Sequence, residues 1–413
     1  MAQPRVSPQA SNTADAGSLI QPVAAGFLGG VVAFASAFAI VLQGLTAVGA
    51  TPAQATSGLL AVSVGMGLLS IGFSIATRKP IVVAWSTPGA ALLIGVGVPA
   101  GGFGVAVSAF LLAGALMIVA GLWRPLGRAV ANIPSALANA MLAGVLLGLC
   151  IAPVQAMATL PLLTAPVLLT WALGVRFAPR YAVALAVVVA GLLVSLVTSI
   201  PPDAWAHVWP SPVFVAPVFD LVPVVSIAVP LFIFTMASQN VPGFAVLRSN
   251  GYEVDARSIF GFTGLASMMT APFGGHALNL AAISAALCVG PEAGPDKSRR
   301  YIASIMFGVT VTLLGLCAGF ATAFVAASPP LLIQTVAGLA LLTSFGGAMA
   351  AALTDEKDRL PAIITFVTTA SGISMLGIGA AFWGLVAGGG LLLLMRAGLG
   401  SRPSDYSQSG PRS

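Results

Sequence analysis

Apolar residues in this chain do not alternate with polar ones as they would on a surface helix or a half-buried strand. They run on for roughly twenty residues at a time and then give way to short breaks carrying Arg, Lys, Asp or Pro. A run of that length crosses the hydrocarbon layer as a helix. The runs predict spans at 20–48, 53–77, 81–98, 102–123, 130–153, 157–175 and 181–200. After the polar stretch "PPDAWAHVWPSPVF" they resume at 219–247, 257–270, 272–290, 300–326, 329–351, 360–377 and 379–397. The pattern thus predicts an all-α polytopic membrane protein of about fourteen segments. Its parts are a cytoplasmic, disordered tail (1–17), seven segments (18–200), an outer loop (201–217), seven more (218–397) and a second cytoplasmic tail (398–413).

Two segments break the pattern. The third contains "VVAWSTPGAALLIGVG", with Ser86, Thr87, Pro88 and Gly89. The tenth contains "TAPFGGHALNLAAIS", with Pro272, Gly274 and Gly275. Each reads as an extended lead-in, a break and a half-length helix. They stand third in their respective halves, and an odd number of segments per half inserts the second half upside down. That is the condition for a 7+7 inverted repeat, whose paired broken helices point to a transporter binding site. The fifth segments echo each other as well, near Pro134 and Pro330.

Charge fixes the expected orientation. With the N-terminus in the cytoplasm, all 17 Lys and Arg fall on the cytoplasmic side, in the loops around Arg78, Arg124, Arg176, Arg248, Arg300 and Arg359 and in both tails. The net charge of +6 is therefore a topological signal, not a nucleic-acid footprint. With 58% hydrophobic and 7% charged residues, against about 25% charged in soluble domains, the lipid bilayer is the expected environment. Cys150, Cys288 and Cys317 all sit in apolar runs without metal-ligand spacing, and read as packing residues. No nucleophile–base pair, metal cluster or phosphate loop appears, and no cofactor is expected. His207, in the outer loop, reads as interfacial.

A helix starting at mid-membrane leaves backbone N–H groups facing a cavity, and they favour an anion. Few polar residues stand beside such starts. The first half offers Gln43, Ser86, Thr87 and Gly89. The second offers Ser238, Gln239 and Asn240 in "FTMASQNVPGF", then Phe273, Gly274, Gly275, His276 and Asn279. His276 and Asn279, three apart, are expected on one helix face. Each polar residue has two readings, contact with a bound molecule or hydrogen bonding between helices. No Asp or Glu lies in the middle of any span. Asp220 is near the outer end of the eighth segment. Amides, hydroxyls and one imidazole suit a monovalent organic anion, and Phe273 and Trp85 suit its apolar body.

At "AWSTPGAALL" (84–93) and "PFGGHALNLAAISAALCVGPEAGPDKSRRY" (272–301) the chain resembles the benzoate/proton symporter (BenE) family, over nearly its whole length. That family resembles the uracil/anion transporters in fold. The resemblance implies a core domain of segments 1–4 and 8–11 and a gate domain of segments 5–7 and 12–14. It also implies substrate between the half-helices of segments 3 and 10, and elevator movement of core against gate. Import of benzoate or a similar aromatic carboxylate with a proton, across a bacterial inner membrane, is the implied function, and a homodimer is left open. Proton-coupled nucleobase carriers of that fold use acidic residues in segments 8 and 10. Here Ser238 or Gln239, and Gly275, take those places, which speaks against a nucleobase. His276 is the expected proton carrier, with Asp220 the second candidate. The alternatives are a passive anion uniporter or channel, another small organic anion on the same fold, and, less in keeping with the residues, a membrane enzyme.

Overall fold

The computed structural model describes residues 19–123, 125, 134–197, 209–281, 285–373, 375 and 378–399. The expected N-terminal tail, the tail from residue 400, Arg124, Arg128 and His207 lie outside the described residues.

The chain is helical nearly throughout. In order come α1 (Ile20–Ala47), α2 (Pro52–Thr77), strand β1 (Val83–Trp85), α3 (Thr87–Val96), α4 (Phe103–Leu122), α5 (Ser135–Thr159), α6 (Pro161–Phe177) and α7 (Ala182–Val197). The second half holds α8 (Leu221–Ser249), α9 (Ala256–Thr270), β2 (Leu278–Leu280), α10 (Ala285–Val289), α11 (Tyr301–Leu316), α12 (Ala318–Ala327), α13 (Pro330–Ala352), α14 (Arg359–Ala370) and α15 (Ala380–Leu399). Among the described residues, seven helices are individually long and apolar enough to cross a membrane, and six more apolar helices run 10–17 residues. The protein is an all-α polytopic membrane protein, with one buried two-stranded ribbon among the described residues.

The expected spans need local amendment. Span 300–326 is two helices that meet at Cys317. The eighth span changes its winding at Thr235–Asn240, a π-helical turn inside α8. The thirteenth ends as helix at Ala370, and Gly372 follows in the left-handed region (φ 66°).

Two sets of helices pack among themselves. In one, α2 lies along α11, α4 along α9, α1 against α3 and α11, and α8 against α4. In the other, α5 packs on α13 and α14, α14 on α15, and α6 on α7. The largest apolar core centres on the first set, around Ile40, Leu59, Phe110, Phe234 and Phe307. Without a hydrophobic driving force between helices in lipid, close backbone approach does much of the packing. Gly44 of α1 is the clearest instance, because a Cβ there would stand inside the envelope of the Ala90 carbonyl of α3.

Strands β1 and β2 pair antiparallel, with Val83 opposite Leu280, Ala84 opposite Asn279 and Trp85 opposite Leu278. The ladder extends through Ser86 N to Ala277 O (2.8 Å) and Ala281 N to Val82 O (2.9 Å). Strand edges buried in protein must find partners elsewhere. Helix side chains supply them: Val83 N donates to Ser70 Oγ (2.9 Å), Leu278 N to Ser267 Oγ (2.9 Å) and Leu280 N to Asn240 Oδ1 (2.9 Å). Truncating such an acceptor strands a buried donor at a cost of about 1–3 kcal/mol. Asn240→Ala is therefore expected to lower the thermal midpoint of the purified protein, whereas Ser249→Ala, at the exposed end of α8, is expected to leave it nearly unchanged. Equal midpoints for the two variants would contradict the edge-capping role.

Candidate functional site

The ribbon delivers α3 to the middle of the molecule. Ser86 is its N-cap, and Ser86 Oγ accepts from Gly89 N (3.1 Å). Pro88 occupies the first turn, where its missing N–H costs nothing and its fixed φ suits a helix start. Thr235, on the π turn of α8, donates to the same Ser86 Oγ (3.2 Å). The His276 ring reaches Ser86 from the other side, 3.1 Å from Nε2 to the carbonyl oxygen. A carbonyl only accepts, so His276 Nε2 carries the hydrogen and Nδ1 holds the lone pair. Nδ1 is buried and has no partner among the described residues. The ring is fully buried, with its edge or face against Phe110 of α4 (centroids 6.5 Å apart).

Thr87, the first residue of α3, is half-buried beside this knot. Gln43 sits next to Gly44, where α1 crosses α3, and both its amide nitrogen and its amide oxygen are buried without a partner among the described residues. An amide orphaned at both ends is costly unless something else takes it up. Gln239 is half-buried on the π turn and likewise has no hydrogen-bond partner among the described residues. The π turn touches β2, α3 and α5, so it stands where the two helix sets meet. Single π turns inside α-helices often mark functional sites.

The expected residues thus divide. Ser86, Gly89, His276 and the π turn carrying Gln239 converge on the N-terminus of α3, with Thr87 at its start and Gln43 near the α1–α3 crossing. Ser238 donates to Phe234 O of its own helix (2.6 Å), and Asn240 serves the ribbon edge. Asn279 is buried in β2, where Nδ2 donates to Leu280 O (2.8 Å) and Oδ1 has no partner among the described residues.

One expectation is overturned. His276 and Asn279 do not share a helix face, because Leu278–Leu280 is a strand paired with β1, in a ladder that extends to Ala277 and Ala281. The Gly-Gly break precedes β2, not a half-helix. Gly274 (φ 86°) turns the chain there, closely packed on Gln54 and Gly58 of α2. Gly275 is buried against Thr270. Phe273 is 36% exposed and stacks edge-on with Phe214 of the segment before α8 (6.2 Å), away from Trp85, which packs on Phe34. Asp220 is exposed at the N-cap of α8, outside the knot.

Sequence reasoning missed Thr235, Ser70 and Ser267. Thr235 lay inside the polar stretch already singled out, four residues before Gln239. The two serines had no signal, since each looks like an isolated small residue in an apolar helix. The long motif at 272–301 has a structural role besides. Arg300 is buried, and its guanidinium donates to Val289 O (2.8 Å) at the C-terminus of α10 and to Gly294 O (2.9 Å). A cation suits that end of a helix.

Comparison with known proteins agrees with this architecture. Residues 18–394 match the family described as "Benzoate membrane transport protein". The chain is 39% identical to the inner membrane protein YdcO of Escherichia coli strain K12, over 88% of this chain and 93% of that one. It is 33% identical to the benzoate membrane transport protein of Acinetobacter baylyi, over 88% and 92%. In fold it is similar to the transmembrane domain of the cyanobacterial bicarbonate transporter BicA (TM-score 0.54, 19% identity, 92% of this chain and 98% of that one). The murine anion transporter Slc26a9 in its inward-facing state is a second neighbour (TM-score 0.62, 13% identity, 93% and 69%). The chain is accordingly a membrane transporter and not an enzyme. It belongs to the benzoate membrane transport protein family.

Proposed function

We propose that this transporter carries benzoate or a similar aromatic carboxylate together with a proton, inward across the bacterial inner membrane with both termini in the cytoplasm. The observation that carries the reading is the start of α3 in the middle of the molecule, with Thr87 at its mouth and the orphaned Gln43 amide nearby. Anion binding follows from magnitudes. Removing a carboxylate from water costs several kcal/mol. Charge-assisted hydrogen bonds return about 1.5–3 kcal/mol each, and a helix N-terminus returns up to ~2 kcal/mol more. Two or three N–H or amide donors therefore balance the cost, with no cationic side chain at the site.

The proton follows from the same reasoning. A lone anion entering a cell that is negative inside works against about 2.3 kcal/mol per 100 mV. Co-transport of one proton removes that term. His276 Nδ1 is the atom to take it, since the ring already donates through Nε2 to the residue that caps α3. A buried imidazolium is costly alone, and so is a buried carboxylate. Each lowers the cost of the other, which couples the two loads thermodynamically.

In this reading the helix set containing α1–α4, α8, α9 and α11 is the core domain, and the set around α5–α7 and α13–α15 is the gate. The two halves of the chain are an inverted repeat, and the core carries its load past the gate. The fold neighbours named for anion transport support an anion as load.

Equilibrium binding of radiolabelled benzoate to the purified protein tests the site. Gln43→Ala is expected to weaken binding by roughly tenfold, the equivalent of one neutral-to-charge hydrogen bond. Gln43→Glu, which sets a carboxylate against the ligand's own, is expected to abolish it. Unchanged affinity in Gln43→Glu would remove α1 from the site.

A further inference from the structure

We propose that the partly open cavity between α3, α5, α8, α14 and α15 is a second ligand site, one that takes an uncharged, benzene-sized molecule. The cavity measures about 160 Å³. An apolar protein cavity near 150 Å³ is large enough to bind benzene. Leu92 and Val96 of α3 form one wall, and Val145 and Gly148 of α5 with Phe382 of α15 form another.

The lining decides the ligand's chemistry. Among the described residues it includes no Lys, Arg, His, Asp or Glu. Unlike the start of α3, it offers a carboxylate neither an orphaned amide nor an imidazole among the described residues, which favours an uncharged ligand. Among the described residues, Ser226 and Thr369 are the hydroxyl-bearing side chains of the lining. Ser226 Oγ already donates to Pro223 O (2.8 Å). Thr369 is 95% buried, and its Oγ1 has no partner among the described residues. That hydroxyl lies against Gly384 of α15, where a Cβ would come within 2.2 Å of it, so the described lining leaves the cavity mostly apolar.

The cavity is distinct from the site at the start of α3. Leu92 and Val96 lie five and nine residues beyond Thr87, which is ~7–14 Å along a helix rising 1.5 Å per residue. Gln43, His276 and Gln239 are not among its walls. The site therefore stands whether or not benzoate is the transported anion. Its walls come from both helix sets, so an occupant touches both.

The probe for the test is fluorobenzene, followed by fluorine NMR on the protein in lipid nanodiscs, with empty nanodiscs subtracted. A saturable bound signal is expected in the wild type, persisting with saturating benzoate present. Two substitutions from different helices fill the space. A Cβ at Gly148 meets no atom within 4 Å, so Gly148→Leu grows into the void. A Cβ at Gly379 comes 3.9 Å from Val96 Cγ2, so Gly379→Val closes the gap across the cavity. Each is expected to abolish the bound signal while the protein keeps its thermal transition. Absence of a saturable signal in the wild type overturns the proposal. So does a signal retained in both folded variants, or one displaced by benzoate. Failure of the wild type to bind benzoate would instead count against the transport reading and leave the fluorine signal to judge the cavity.

Discussion

Replacement of His276 by glutamine is expected to separate binding from accumulation. Glutamine can donate an N–H to the Ser86 carbonyl much as His276 Nε2 does at 3.1 Å, so the cap of α3 survives. What it cannot do is hold a proton. Wild-type protein in sealed vesicles should accumulate benzoate by about tenfold per unit of imposed pH gradient, since one unit is about 1.36 kcal/mol for a single coupled proton. In His276→Gln the gradient should drive no protein-dependent accumulation, while benzoate binding at fixed pH persists and downhill exchange continues. Because proton and carboxylate cross as a neutral pair, wild-type uptake should also be insensitive to an imposed membrane potential. Full gradient-driven accumulation in His276→Gln would move the proton to another group. Asp220, exposed at the N-cap of α8, is then the next to replace.

The second large effect concerns the α1–α3 crossing. Gly44→Ala places a Cβ against the Ala90 carbonyl, where main chain cannot swing aside as a side chain would. The two helices must part, at a cost of about 1–3 kcal/mol for an overpacked contact. Parting them shifts the start of α3 relative to Gln43, so benzoate uptake should fall sharply even where the protein remains folded. Gly72→Ala in α2 is the control. A Cβ there meets nothing within 4 Å, and alanine raises helix propensity by about 1 kcal/mol. Gly44→Ala is expected to lower the thermal midpoint and uptake together, and Gly72→Ala to leave uptake alone. Equal behaviour of the two would mean that the close crossing has no part in holding the site.

Much of this architecture is written locally, and that part was legible. The start of α3 is announced by Ser86, Thr87, Pro88 and Gly89, an N-cap followed by a first-turn proline. Its geometry depends on neighbours within four residues. Long apolar runs announce the spans for the same reason. The tenth segment misled because its decisive partner is remote. "ALNLA" (277–281) carries no helix breaker, yet it pairs as a strand because β1, some two hundred residues earlier, supplies the other half of the ladder. Asn240, Ser70 and Ser267 then act as edge acceptors for strands that sequence alone did not reveal. The π turn at Thr235–Asn240 is a matter of hydrogen-bond register, which leaves no periodic trace over six residues. Phe273 was assigned by its nearness to a break; the turn at Gly274 sends it outward to Phe214 instead.

The most direct test of proton-coupled carboxylate transport is radiolabelled benzoate uptake into sodium-free proteoliposomes under an inward proton gradient. Empty liposomes measure the neutral acid that crosses unaided, and their signal is subtracted. Saturable, protein-dependent accumulation above equilibrium is expected, and it should collapse when a protonophore is added. Protein-dependent uptake that only equilibrates, or that ignores the protonophore, would contradict proton-coupled transport.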